Sequence, residues 1–230
     1  MNHVRRVGDF VRRDAGPWTP TIHRYLAHLN AHGIPGIPMP VSADDNHELL
    51  TYIPGTVPQY PLPDWVWSDV VLIAGGRLLR RLHDASIDFD ASDAHWQVPI
   101  HEPVEVICHN DFAPHNLVFD DGDLVGVIDF DTCSPGPRLW DLAYFAARAI
   151  PLEAGQDAVA IVRRLDLLLA SYGMAASRAD LLETALVRLH DIADVTAERA
   201  TAESKPELLE HVAGYRRDAA FVQSLLSLSL

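Results

Sequence analysis

The sequence contains one lysine, Lys205, and two cysteines, Cys108 and Cys133, in 230 residues. Two thiols are too few for a disulfide framework. Placed at the ends of apolar stretches, they fit reduced, buried residues of a cytoplasmic protein. A disulfide or a metal pair between them has no further support in the sequence. No run reaches the roughly 18 apolar residues that would mark a membrane span. Met1-Asn2-His3-Val4-Arg5-Arg6 leads into no apolar segment of the kind a signal peptide needs. Positive charge is scarce as well: 18 basic residues face 32 acidic ones, a net charge of −14. That balance argues against a nucleic-acid partner or an anionic membrane surface, and it is compatible with a cationic ligand. Hydrophobic residues make up 48% and charged residues 22%, an ordinary globular balance. The length allows one or two domains with a substantial core. There is no internal repeat and no low-complexity segment.

The most informative stretch spans residues 104–142. Residues 104–108 and 124–128 are short, β-branched apolar runs that read as buried strands. Residues 117–119, followed by Asp120-Asp121-Gly122-Asp123, read as a strand entering a hairpin turn. His109, Asp111 and Asn116 then fall at one set of strand ends, and Asp129 and Asp131 at another. Such loops are where a rigid sheet presents reactive groups. Phosphoryl transfer needs a carboxylate near the attacking hydroxyl and hard oxygen ligands for Mg²⁺. Asp111 can be the carboxylate, Asn116 a neutral oxygen ligand and Asp129 an anionic one, while His109 braces the loop by hydrogen bonds. A lone loop Asp or Asn would mean little. The combination H-x-D-x-x-x-x-N, a hydrophobic strand and I-D-F-D is far more specific.

His109-Asn110-Asp111-Phe112-Ala113-Pro114-His115-Asn116 resembles the catalytic loop of the aminoglycoside phosphotransferase/choline kinase family. Ile128-Asp129-Phe130-Asp131 resembles its metal-binding segment, and Pro135-Gly136-Pro137-Arg138-Leu139-Trp140-Asp141-Leu142-Ala143 the segment that follows. The resemblance implies an α+β, protein-kinase-like bilobal fold. Its small, truncated, β-rich N-lobe would span 1–55, and its mainly helical C-lobe 56–230. It implies Asp111 and His109 as catalytic residues, Asn116 and Asp129 as metal ligands, and Asp141 as structural support of the loop. It implies ATP or GTP with Mg as cofactors, and a nucleoside triphosphate and a small-molecule acceptor as partners. Thr51 and Ile53, in Glu48-Leu49-Leu50-Thr51-Tyr52-Ile53-Pro54-Gly55, resemble the hinge whose backbone meets the nucleotide base.

Elsewhere, residues 4–7 and 10–12 read as two strands joined at Gly8-Asp9. Residues 20–31 read as a helix with Thr19 as N-cap and Gly33 ending it. Residues 65–84 read as a second helix, in which Gly75-Gly76 permit close packing or a bend and His83 is structural. Helices are expected over 142–149, 158–172, 180–198 and 207–225. Leu182, Leu186, Leu189, Ile192 and Val195 form an apolar stripe that should face the core. Asp191, Asp194 and Glu198 lie on another face. They are either a solvated surface or a substrate-binding rim for a cationic acceptor.

Three features depart from the family pattern. No glycine precedes Gly8, so a glycine-rich hairpin over the phosphates is missing. Arg12 or Arg13 stands where the family places a phosphate-binding lysine. Residues 20–31 contain no acid to pair with that cation; its position falls near Ile22 or His23. Two readings follow: a small-molecule phosphotransferase, and a non-catalytic kinase-like protein that binds a small molecule or nucleotide. A metal-dependent phosphoesterase is a more distant third.

Overall fold

The computed structural model describes residues 4–152 and 156–227. The chain is α+β and divides into two compact units. The first comprises Met1–Val66 and Arg77–Arg138; the second comprises Trp67–Gly76 and Leu139–Leu230. The loop carrying Asp111 and Asn116 therefore shares a unit with the first strands, a division that differs from a boundary at residue 55.

The first unit begins with β1 (Arg5–Val7) and β2 (Phe10–Asp14), joined by the turn at Gly8. After α1 (Thr19–Ala31), β3 (Pro40–Ala43) and β4 (His47–Thr51) complete an antiparallel sheet of order β1-β2-β4-β3. Ile22, Leu26 and Leu29 of α1 recur at helical spacing and are fully buried. Thr19 is not the N-cap: Trp18 takes that position, and the Thr19 hydroxyl accepts the Gly16 N–H at 2.9 Å. Gly33, at φ +69°, follows the end of the helix.

Two further antiparallel pairs carry the central stretch. β5 (Val106–Cys108) pairs with β8 (Ser134–Gly136), and β6 (Leu117–Asp120) pairs with β7 (Asp123–Val127). β8 was not legible in the sequence, because Ser-Pro-Gly reads as a turn and only its neighbour makes it a strand. Gly36 and Gly126 explain how the β3 side of the unit meets β7. A Cβ on Gly36 would lie 1.9 Å from the Val125 carbonyl oxygen, and the Val127 N–H donates to the Gly36 carbonyl at 3.0 Å. Cys108 and Cys133 are buried thiols.

Residues 65–84 resolve into a 3₁₀ turn (Asp64–Trp67) followed by α2 (Asp69–Ala85). The second unit contains α3 (Arg138–Ala149), α4 (Ala158–Tyr172), α5 (Arg178–Ala202) and α6 (Leu208–Ser227). Gly75 and Gly76 serve close packing: added Cβ atoms would meet the Phe145 ring at 2.3 Å and the Ser171 hydroxyl at 2.3 Å. Asp157 caps α4, and Ser177 with Asp180 forms a capping box on α5. The buried stripe of α5 is Leu181, Leu182, Ala185, Leu189 and Ala193; Val195 is exposed, so the expected stripe is rotated toward smaller residues. Among the described residues, no helix is long and apolar enough to cross a membrane.

Candidate active site

The site is assembled within the first unit from the loop after β5 and the segment after β7. Asn110 takes φ +64°, a conformation asparagine tolerates better than most residues. Its side-chain amide donates to the Thr132 carbonyl at 2.8 Å and to the Ser134 hydroxyl at 2.9 Å. His109 then spans the gap. Its Nε2–H donates to the Ile128 carbonyl at 3.1 Å, and its Nδ1 accepts the Asp111 N–H at 3.3 Å. With both nitrogens spent on backbone, His109 is a brace and not a free proton carrier.

Asn116, buried in a short 3₁₀ turn, donates its side-chain amide to both the Asp111 carbonyl and Asp111 Oδ2, at 2.9 Å each. Its carboxamide oxygen is therefore turned away from Asp111. The Ile128 N–H donates to the Asn116 carbonyl at 2.9 Å, which ties this loop to the end of β7. Asp129 follows at φ +64°, in the left-handed region that a non-glycine residue occupies at a cost. Its side chain is 51% exposed. Asp111, Asn116 and Asp129 are thus brought together on one braced frame. His115 also reaches this frame, with Nε2 3.5 Å from Asp111 Oδ2, and Tyr60 stands 3.5 Å from its other nitrogen.

β2 decides between the two candidate arginines. Side chains alternate across a strand, and Arg12 points outward while Arg13 is buried. Arg13 lies directly opposite Glu48 in the β2–β4 register. Its Nε is 2.7 Å from Glu48 Oε1, an ion pair rather than a well-aligned hydrogen bond. The other nitrogens reach Asp131 at 2.5 Å and Asp129 at 3.3 Å. His23 of α1 donates from Nε2 to Glu48 Oε2 at 2.6 Å. The acid missing from α1 is therefore supplied by β4, with His23 behind it. Glu48 was readable in principle: it shares a strand face with buried Leu50, and a charge on an apolar face requires a partner. Burial pushes the Asp131 carboxyl up, and the Asp129 and Glu48 carboxylates add to this. Against the pull of Arg13, Asp131 reaches about 6. Burial works against the Arg13 charge, yet Asp131, Glu48 and Asp129 together raise its pKa.

The N–H and hydroxyl of Thr51 are both engaged by the neighbouring stretch of chain. Its N–H donates to the Met39 carbonyl at 2.9 Å and its hydroxyl accepts the Met39 N–H at 2.8 Å, because β3 pairs on that side. Ile53 lies beyond the end of β4. In the second unit, Asp141 is fully buried in the first turn of α3. Asp191 pairs with Arg188 at 3.0 Å and Asp194 with Arg216 at 3.7 Å, while Glu198 is exposed. Two of the three acids on that face thus have local cationic partners.

Residues 88–181 match the phosphotransferase enzyme family. Over 239 residues the chain is 30% identical to the trifolitoxin immunity protein of Rhizobium leguminosarum bv. trifolii, covering 95% of this chain and 90% of that protein. The chain belongs to the phosphotransferase enzyme family. It is a kinase-like enzyme of that family. An amicoumacin kinase solved with AMP-PNP, Ca²⁺ and Ami superposes with a TM-score of 0.67 at 13% identity, covering 95% of this chain and 87% of that one. The ethanolamine kinase of Plasmodium vivax superposes at 0.70 with 11% identity, covering 98% and 83%. At these identities the likeness establishes the kinase-like fold of the phosphotransferase.

Proposed function

We propose that this phosphotransferase moves the γ-phosphate of ATP or GTP to a hydroxyl of a small acceptor, with Asp111 as the base. The observation that carries the proposal is the pair of bonds from Asn116 to Asp111. They hold the carboxylate that would receive the hydroxyl proton and leave the carboxamide oxygen free of Asp111, where it would serve a cation. Asn116 and the half-exposed Asp129 offer the hard oxygen donors that Mg²⁺ takes. Bound there, Mg²⁺ would supply charge neutralisation across the phosphates. Asp111 orients the acceptor hydroxyl and holds its proton at Oδ1 or Oδ2; His109 keeps the loop in register. Thr51 and Ile53 are the hinge positions we assign to the base.

The acceptor we propose is a toxic natural product. That reading is supported by the immunity role in the name of the Rhizobium relative and by the substrate in the name of the amicoumacin kinase. A cationic acceptor would suit Asp191, Asp194 and Glu198. The second reading, a binding protein without turnover, draws on one observation: Arg13 is held by three carboxylates and so is engaged before any phosphate arrives.

The test is Asp111→Asn, assayed for Mg²⁺-dependent phosphate transfer from ATP and GTP to a panel of natural-product acceptors. Loss of a positioned base should lower turnover by roughly 10²–10⁴-fold with folding intact. A rate within about threefold of wild type removes Asp111 from the mechanism. Nucleotide binding without any transfer by the wild-type chain replaces the enzyme reading with the binding one.

A further inference from the structure

Far from the phosphotransfer frame in sequence, the end of α1 carries a second constellation. His28 and His32 lie one helical turn apart with their rings tilted against each other, centroids 4.2 Å apart and planes 39° apart. Asp88, on the segment after α2, places a single oxygen between them: Oδ1 is 3.3 Å from His28 Nε2 and 3.4 Å from His32 Nε2. The three candidate ligand atoms lie within 4.8 Å of one another. All three residues belong to the first unit.

Two details distinguish this arrangement from a loose polar cluster. First, His32 Nδ1–H donates to the His28 carbonyl at 2.9 Å. The neutral ring must then present a lone pair at Nε2, which is how a metal-ligating histidine is oriented by the bond its other nitrogen makes. Asp88 Oδ1 stands 3.4 Å from that nitrogen, a separation that either a proton or a metal ion can bridge. Second, the separations are right. Ligands at tetrahedral zinc distances stand about 3.3 Å apart, against 3.3 and 3.4 Å here. His28 Nε2–H donates to the Ala85 carbonyl at 2.7 Å, a bond that the metal would replace.

We propose that His28, His32 and Asp88 form a binding site for a divalent transition-metal ion of the zinc class. Two imidazoles and one carboxylate select zinc, cobalt or nickel over Mg²⁺, which takes oxygen ligands. Binding shifts the His28 proton from Nε2 to Nδ1, so the ring stays neutral and no other group changes charge. The ion joins the last turn of α1 to the chain beyond α2. Because α1 also carries His23, it would fix the helix that backs the Glu48–Arg13 pair.

The test uses the untagged full chain, stripped of metal and held in excess Mg²⁺, titrated with Zn²⁺ against a chromogenic chelator. One Zn²⁺ should bind per chain. His32→Ala and Asp88→Asn, both at exposed positions, should each weaken it at least about tenfold. His47→Ala, at a part-exposed histidine outside the cluster, should leave it unchanged. Zn²⁺ should raise the thermal midpoint of the wild type and not that of His32→Ala, and Co²⁺ should give tetrahedral visible bands. Equal Zn²⁺ affinity in wild type and His32→Ala overturns the proposal. So does a wild type that binds no Zn²⁺, in which a proton alone joins His32 to Asp88, or an equal loss in His47→Ala.

Discussion

Arg13→Met should be the most informative single change in the first unit. It removes the guanidinium that Glu48, Asp131 and Asp129 share, their carboxylates lying 2.7, 2.5 and 3.3 Å from it. Glu48 and Asp131 are nearly fully buried, so neither can turn to water for compensation. Breaking a buried pair by deleting one partner costs roughly 3–5 kcal/mol. The pH dependence gives the sharper check. Asp131 is an acid whose folded pKa, about 6, lies above its ordinary value of 3.8. Between those values the folded state binds the extra proton, so stability falls as pH rises through that window. Without Arg13 the carboxyl loses the attraction that opposes burial, and its folded pKa moves higher still. Each further unit costs about 1.4 kcal/mol once the pH is above it. Urea unfolding in the absence of metal should therefore show the deficit of Arg13→Met at pH 7 shrinking markedly at pH 5. Glu48→Gln should cost less, because it leaves Arg13 two carboxylates and lowers their mutual repulsion. A deficit of less than about 1 kcal/mol at pH 7, or one that does not change with pH, would refute the account of Arg13 as the neutralising centre.

Asp129→Ala should abolish Mg²⁺-dependent nucleotide binding and Asn116→Ala should weaken it, since only Asp129 brings a formal charge; calorimetry with and without Mg²⁺ reads this, and identical binding in Asp129→Ala removes the assignment. If Asp191, Asp194 and Glu198 recruit a cationic acceptor, neutralising them should raise its KM at low salt, with the effect fading as salt rises. An unchanged KM returns them to an ordinary solvated face, as the Arg188 and Arg216 pairings would allow. Gly36→Ala should destabilise by roughly 1–3 kcal/mol, because its φ is +69° and its Cβ would strike the Val125 carbonyl; unaltered chemical denaturation would show that the β7 contact can yield.

The sequence by itself determined the parts that are local. β-branched apolar runs placed three strands of the central stretch, helical spacing placed α1 to α6 to within about four residues, and the H-x-D-x-x-x-x-N and I-D-F-D segments put Asp111, Asn116 and Asp129 at strand ends. These signals depend on neighbours a few positions apart, which a sequence displays directly. Tertiary structure alone decided what depends on register and on opposite strands. Ser134–Gly136 became a strand because β5 lies beside it, and Thr51 lost its free N–H because β3 pairs there. Arg13 rather than Arg12 entered the site because one residue of register reverses every side chain, and Glu48 replaced an acid on α1 because the β2–β4 register sets it opposite Arg13. A buried charge must find its counter-charge wherever the fold places one. That partner can lie far away in the chain, as Asp131 does from Arg13, and no local pattern announces it.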